Sequence, residues 1–210
     1  MKSIRNSLPY RAIAKTNRKR ILKEYRERIE NQNFSILASN CMAGFFYHDL
    51  AHPFLSPTIN LYLDGPDYIK FLKDLDSYLN LEIEAHPQSD SYSYPLGLLG
   101  DLSLHFVHYD SLAEAIAKWQ ERKERLNLDN LFVVATDRDG MTIDLIREFD
   151  ALDYPHKVVF THQDYPELQS AFYIPGFEDQ GMVGELNLYR NLRGERLYDQ
   201  FDFVSWLNQK

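Results

Sequence analysis

The chain has 210 residues, a mass of 24.7 kDa, 44% hydrophobic residues and a net charge of −8 at pH 7. This length suits one domain with one sizeable core. The one cysteine excludes an internal disulfide, and no apolar run is long enough to span a bilayer. The N-terminus lacks the pattern of a secretory signal, so we expect a cytoplasmic globular protein.

The positive charge is concentrated at the N-terminus. Residues 1–33 contain ten Lys or Arg and three Glu, a net charge of +7, so the rest of the chain carries −15. Apolar residues within 11–30 recur at near-helical spacing among the basic ones. The sequence thus predicts a basic amphipathic helical arm over 1–33 and a single α/β domain over 34–210. Residues 11–30 either contact an anionic membrane at its inner face or dock on the acidic body of the same or a neighbouring subunit. An acidic body repels phosphate and disfavours nucleic acid.

Beyond the arm, apolar runs alternate with helical patterns, which is typical of a three-layer α/β fold with a mainly parallel sheet flanked by helices. Strands are predicted at 34–38, 58–63, 81–84, 102–108, 131–135 and 157–160. Helices are predicted at 64–79, 111–126, 142–152 and about 199–208. Ser111 and Glu114 form a capping box, and the polar loop 86–94 is a candidate lid.

The residues that follow each strand are the first candidates for chemistry, because ligands of parallel sheets bind at the carboxyl ends of the strands. Cys41 follows the first predicted strand, where it suits the nucleophile of an acyl transfer with His108 as the base. Asn40 and Gly44 are placed to hold the oxyanion. The alternative is that Cys41 is a small apolar core residue.

The tripeptide Asp137-Arg138-Asp139 follows another buried strand. Two such carboxylates suit catalytic roles, or hold a divalent ion that bridges the phosphates of a sugar nucleotide. A simple strand-to-helix turn is the alternative. Tyr109, Arg138 and His162 are predicted to bind substrate. No paired cysteines or His-Glu-x-x-His motif indicate a protein metal site, and no Gly-rich phosphate loop indicates a dinucleotide enzyme or an NTPase.

The order of several short motifs resembles a bacterial family, DUF1919, often labelled exopolysaccharide biosynthesis protein. The motifs are Ser39-Asn40-Cys41-Met42-Ala43-Gly44, Ser56-Pro57-Thr58, Asp67-Tyr68-Ile69-Lys70-Phe71-Leu72, Tyr94-Pro95-Leu96-Gly97, His105-Phe106-Val107-His108-Tyr109, Thr136-Asp137-Arg138-Asp139-Gly140 and Trp206-Leu207-Asn208. The resemblance covers nearly everything after Asn33. The Asn40-Cys41 pair is also similar to a type of capsule acetyltransferase in which this pair follows the first strand.

The resemblance implies a role in making cell-surface polysaccharide. We therefore expect a transferase of exo- or capsular polysaccharide biosynthesis, of which a cysteine-dependent sugar acyltransferase is the leading form. A metal-dependent glycosyltransferase that uses Asp137 and Asp139 and a non-catalytic carbohydrate-binding or assembly subunit are the alternatives. The expected substrate is a sugar or a lipid-linked saccharide, and the expected cofactor is acyl-CoA or a sugar nucleotide with a divalent cation.

Overall fold

A parallel sheet forms the centre of the computed structural model, which describes residues 7–209. Residues 1–6 of the predicted arm and residue 210 of the predicted domain lie outside the described part. The strands are β1 Ser35–Ala38, β2 Ile83–Ala85, β3 Leu96–Leu99, β4 Leu102–His105, β5 Leu131–Thr136, β6 His156–Thr161 and β7 Ala171–Tyr173. The helices are α1 Leu8–Arg28, α2 Met42–Leu50, α3 Gly65–Lys73, α4 Leu75–Leu79, α5 Leu112–Lys123, α6 Ile143–Asp150 and α7 Phe203–Leu207.

The main sheet has the strand order β1-β5-β6-β7, and each neighbouring pair is parallel. Because side chains alternate along a strand, Phe132 and Val134 of β5 face one layer of helices, while Val133 and Ala135 face the other. The first layer includes α2 and α7, and the second includes α3, α5 and α6. The predicted three-layer α/β architecture with a mainly parallel sheet is confirmed.

A second sheet corrects two predictions from the sequence. Strands β2, β3 and β4 form a separate antiparallel sheet, so the predicted strand 102–108 ends at His105 and does not belong to the parallel sheet. The predicted strand 58–63 forms one isolated bridge, between Tyr62 and His105. Asn60 has a φ of +65°, a left-handed conformation that a regular strand cannot contain.

Two predicted helices are shorter than expected. The pattern over 64–79 divides into α3 and α4 at Asp74, whose φ of −135° and ψ of 47° are not helical. The predicted helix over 199–208 is a 3₁₀ turn, Leu197–Gln200, followed by α7. The Asp202 side chain accepts a hydrogen bond from the Ser205 N–H and so caps α7 instead.

Helix α1 docks on the body of the chain through a buried ionic network. Arg18 is 3% exposed and pairs with Asp49 of α2 and with Asp199, and it also donates to the Tyr198 hydroxyl at 3.1 Å. Gly194, with a φ of +90°, lets the backbones approach closely, since a Cβ on it would lie 2.4 Å from the Arg18 nitrogen. Among residues 7–209, no helix has the length and apolarity needed to cross a membrane.

This network predicts a large effect of Arg18→Gln on stability. The change leaves Asp49 and Asp199 buried without their cation, so the free energy of unfolding should fall by about 3–5 kcal/mol, measured by urea denaturation. Lys19→Gln alters the neighbouring exposed position and should change stability by less than about 0.5 kcal/mol. A loss below about 1 kcal/mol in Arg18→Gln would show that the network does not hold α1 in place.

Candidate functional site

Residues at the ends of β5 and β6 form a carboxylate–imidazole pair, which we call the Asp137–His162 dyad. Parallel pairing aligns Thr136 with Phe160, so the residues that follow both strands are neighbours. The Asp137 Oδ2 atom accepts the His162 backbone N–H at 2.6 Å and lies 2.5 Å from His162 Nδ1. The Oδ1 atom accepts the Val183 backbone N–H at 2.7 Å. Asp137 is therefore fixed by three hydrogen bonds.

The dyad leaves one nitrogen of His162 free. Because Asp137 accepts a hydrogen bond at Nδ1, the proton of the neutral imidazole lies on Nδ1 and the lone pair lies on Nε2. Nε2 makes no hydrogen bond with the described residues, and it is not among their fully buried unpartnered polar atoms, so it reaches solvent from a side chain that is 12% exposed. An oriented imidazole with an accessible Nε2 is suited to accept a proton from a substrate.

A second set of polar side chains, the Cys41 group, consists of Asn40, Cys41, Arg138 and Asp139. Asn40 connects the ends of β1 and β5: its Nδ2 donates to Thr136 Oγ1 at 2.7 Å and to Asp139 Oδ2 at 3.4 Å. Asn40 Oδ1 accepts the N–H of Met42 at the start of α2. The predicted oxyanion residue Gly44 lies in this first turn, where a Cβ would meet no atom within 4 Å. The first turn of α2 therefore borders open space.

The Cys41 thiol is not activated as a nucleophile. Burial, and then the charge of Asp139, raise the pKa of Cys41 above its ordinary value, while Arg138 acts in the opposite direction. The hydrogen-bonding contact of Sγ is with the Leu61 carbonyl at 4.0 Å, and no histidine of the described part of the chain donates to or accepts from it. The raised pKa therefore favours the protonated form of the thiol.

Arg138 provides a cation without a carboxylate partner. Its Nη1 donates to the Gly184 carbonyl at 3.4 Å, and its Nε is buried without a hydrogen bond. Within residues 7–209, no Asp or Glu forms an ion pair with it. A guanidinium in this state can bind phosphate or carboxylate oxygens.

A histidine–tyrosine group from the smaller sheet adjoins the Cys41 group. The ring of His105 stacks on Tyr62 with centroids 4.2 Å apart, and its Nδ1 lies 3.2 Å from the Tyr94 hydroxyl. Its Nε2 is 3.7 Å from Asp64 Oδ2 and makes no hydrogen bond. Burial lowers the pKa of His105 and raises that of Asp64, and the charge of Asp139 acts on both.

The structure does not bring His108, the base predicted from the sequence, to Cys41. His108 is exposed and makes no hydrogen bond or ion pair with any described residue. His108 follows β4, which belongs to the antiparallel sheet and not to the parallel sheet that carries Asn40 and Asp137 at its strand ends. The Tyr109 hydroxyl is buried, where it donates to the Ile59 carbonyl and accepts from Arg122.

The structure also separates the roles of Asp137 and Asp139. Both oxygens of Asp137 accept hydrogen bonds from protein N–H groups, whereas Asp139 faces Asn40. No three His, Cys, Asp or Glu side chains in the described part of the chain are placed to hold a metal ion. The residues predicted from the sequence thus form two pairs of contacts, Asp137 with His162 and Asn40 with Asp139.

Sequence reasoning missed Asp64 and His105 as members of the site. The sequence pattern places Asp64 at the start of the predicted helix over 64–79 and His105 within the predicted strand 102–108. The signal in the sequence is that Asp64 directly follows an apolar run, as the other candidate residues do. In the structure this run ends beside β1, where the Leu63 N–H donates to the Ser39 carbonyl at 2.9 Å. This contact brings Asp64 to the end of β1 without a strand.

Comparison with known proteins places the chain among relatives without an assigned activity. The family described as "Domain of unknown function (DUF1919)" matches residues 12–208. A protein of Haemophilus influenzae, named "Uncharacterized protein", is 44% identical over 197 residues, which cover 94% of this chain and 95% of that protein. The family match begins within α1, whereas the motifs that carry the resemblance all lie after Asn33.

The surroundings of Cys41 predict opposite effects of two substitutions. Asp139→Asn removes a negative charge and should lower the pKa of the thiol, while Arg138→Gln removes a positive charge and should raise it. The measurement is the rate of alkylation by iodoacetamide against pH, in which the wild-type inflection should lie above that of an ordinary thiol. A curve that is the same in all three proteins would contradict the described contacts of Cys41.

Proposed function

The chain belongs to the DUF1919 family, and from this premise we propose that it is a cytoplasmic transferase of cell-surface polysaccharide assembly that acylates a saccharide hydroxyl. The observation that carries the proposed chemistry is the dyad, in which Asp137 holds His162 with Nε2 open to solvent. The polysaccharide assignment is supported by the resemblance to the family. His162 takes the role of base that the sequence had suggested for His108.

The dyad supports direct transfer from donor to acceptor. His162 Nε2 accepts the proton of a saccharide hydroxyl while the hydroxyl oxygen attacks the acyl carbonyl carbon of a thioester. Asp137 stabilises the imidazolium that forms and keeps the ring oriented. As the bond from carbon to sulfur breaks, the imidazolium returns the proton to the leaving thiolate, which restores the neutral base.

In this proposal the Cys41 group binds the acyl donor, acyl-CoA. Acyl-CoA carries phosphates, and Arg138 offers a guanidinium without a carboxylate partner, whose charge acts on Cys41 at the start of α2. Helix N-termini and unpaired arginines both favour phosphate oxygens. In this proposal Asn40, which connects the two strand ends, fixes the position of Asp139 and of the first turn of α2.

Four observations rank this reaction above the two other catalytic mechanisms. The raised pKa of Cys41 and the lack of a hydrogen-bonded histidine disfavour an acyl-cysteine intermediate. Adjacent strands are about 4.8 Å apart, so positions after β1 and β6 are separated by about 10 Å with β5 between them, and His162 serves Cys41 poorly as a base. The three hydrogen bonds to Asp137 disfavour a metal-dependent glycosyl transfer that uses this carboxylate.

The test of the base compares two histidines. Purified protein is assayed for release of free thiol from acetyl-CoA in the presence of a panel of bacterial saccharides. We expect His162→Gln to lower the rate by a factor of about 10²–10⁴, since general base catalysis contributes that much, and Asp137→Asn to lower it similarly. His108→Gln is the matched control and should retain the rate. Loss of activity in His108→Gln with full activity in His162→Gln would contradict the assignment.

The test of the direct route uses Cys41→Ala. Because the thiol takes no part in the proposed reaction, this variant should retain most of the activity, and mass spectrometry of the wild type after rapid quenching should find no acylated Cys41. An acyl group on Cys41 that forms and decays at the rate of turnover, together with an inactive Cys41→Ala, would establish the covalent mechanism instead.

A further inference from the structure

A cavity of about 720 Å³ lies between the first half of α1 and the segment 175–197. This volume is within the range of sites that bind small molecules. Leu8, Arg11 and Lys15 of α1 line one side, and Phe177 and Leu188 line the other. The proposed transferase chemistry uses none of these side chains.

The charges around the cavity are predominantly positive. Arg11 and Lys15 are exposed and form no ion pair with the described residues. Arg196 also lines the cavity, but its Nη1 already lies 4.0 Å from Asp49 Oδ1 and donates to the Tyr198 hydroxyl at 2.9 Å. Glu185 is the one carboxylate among the lining residues. The net charge of the whole chain is −8, so the positive charge around the cavity is opposite in sign to that of the chain as a whole. The charge distribution is therefore complementary to an anionic ligand.

The apolar lining extends from the interior of the cavity to its mouth. Phe177 is buried in the wall, whereas Leu188 is 40% exposed and Leu8 is 84% exposed at the rim. Exposed leucines beside unpaired cations are suited to a ligand that has both an anionic group and a hydrocarbon chain. Inorganic phosphate would use the cations alone, and a neutral lipid would use the leucines alone.

We propose that this cavity binds a phosphate-bearing amphiphile, with the phosphate held by Arg11 and Lys15 and the hydrocarbon chain lying along Leu8 and Leu188. This inference rests on the proposed function and names its acceptor class: a saccharide linked through phosphate to a lipid. The neighbouring segment connects the cavity to the dyad. Gly184 lines the cavity and accepts from Arg138, and the Val183 N–H donates to Asp137.

The experiment measures binding of octyl phosphate to the full chain by titration calorimetry, below the concentration at which the ligand forms micelles. We expect saturable binding of one molecule, weakened when the salt concentration rises because the cations are exposed. Octanol and inorganic phosphate are titrated in parallel, and each should bind at least about tenfold more weakly. Equal affinity for octanol would overturn the proposal, because the phosphate group would then contribute nothing to binding. Equal affinity for inorganic phosphate would also overturn it, because the hydrocarbon chain would then contribute nothing.

Matched variants locate the binding. Arg11→Gln with Lys15→Gln should weaken octyl phosphate binding about tenfold or more, whereas Lys19→Gln with Arg20→Gln, which are exposed on the same helix outside the cavity, should not. Leu188→Gln should weaken it, and Leu192→Gln, an exposed leucine that does not line the cavity, should not. Equal affinities in the cavity and control variants would overturn the proposal.

The binding measurement needs no turnover, so it separates this inference from the proposed function. Transfer to a water-soluble saccharide that depends on His162, together with no binding of octyl phosphate, would reject the lipid site and keep the transferase. Specific binding in the cavity without any acyl transfer would keep an amphiphile site and reject the acceptor role assigned to it.

Discussion

The buried carboxylate of Asp137 is the interaction on which the site depends. It receives hydrogen bonds from His162 after β6 and from Val183 in the C-terminal segment, so it joins three parts of the chain at the edge of the sheet. A carboxylate that is 6% exposed needs such partners, since an unsatisfied buried charge is costly. The same hydrogen bonds that satisfy it orient the imidazole and leave Nε2 free.

The fold was largely predictable because its strands are continuous apolar runs, typical of parallel strands covered on both faces. The sequence predicts β5 and β6 within about two residues at each end, and the Ser111 side chain caps α5 as expected, accepting the Glu114 N–H at 3.2 Å. The second sheet was not predictable from local pattern, because antiparallel pairing of β2, β3 and β4 depends on contacts between distant segments. His108 follows β4 of that second sheet, so it does not follow a strand of the parallel sheet.

The sequence identified several residues of the site, but it did not identify which of their side chains contact one another. Asn40, Asp137, Asp139 and His162 all follow parallel strands, which the apolar runs identify. Which side chains meet depends on strand order, and the order β1-β5-β6 places Asp137 beside His162 and Asp139 beside Asn40. A periodicity argument contains no strand order, so it does not identify which side chains surround Cys41. Its raised pKa reflects burial beside a carboxylate.

The tautomer of His162 tests the central claim most directly, and ¹⁵N NMR of the imidazole in the full chain measures it. The account predicts that the neutral ring carries its proton on Nδ1, with the chemical shift of a strong hydrogen bond to Asp137, and that Nε2 is unprotonated. Asp137→Asn should abolish that shift. A neutral ring with the proton on Nε2 in the wild type would contradict the account, because Nε2 would then be a donor and unable to act as the base.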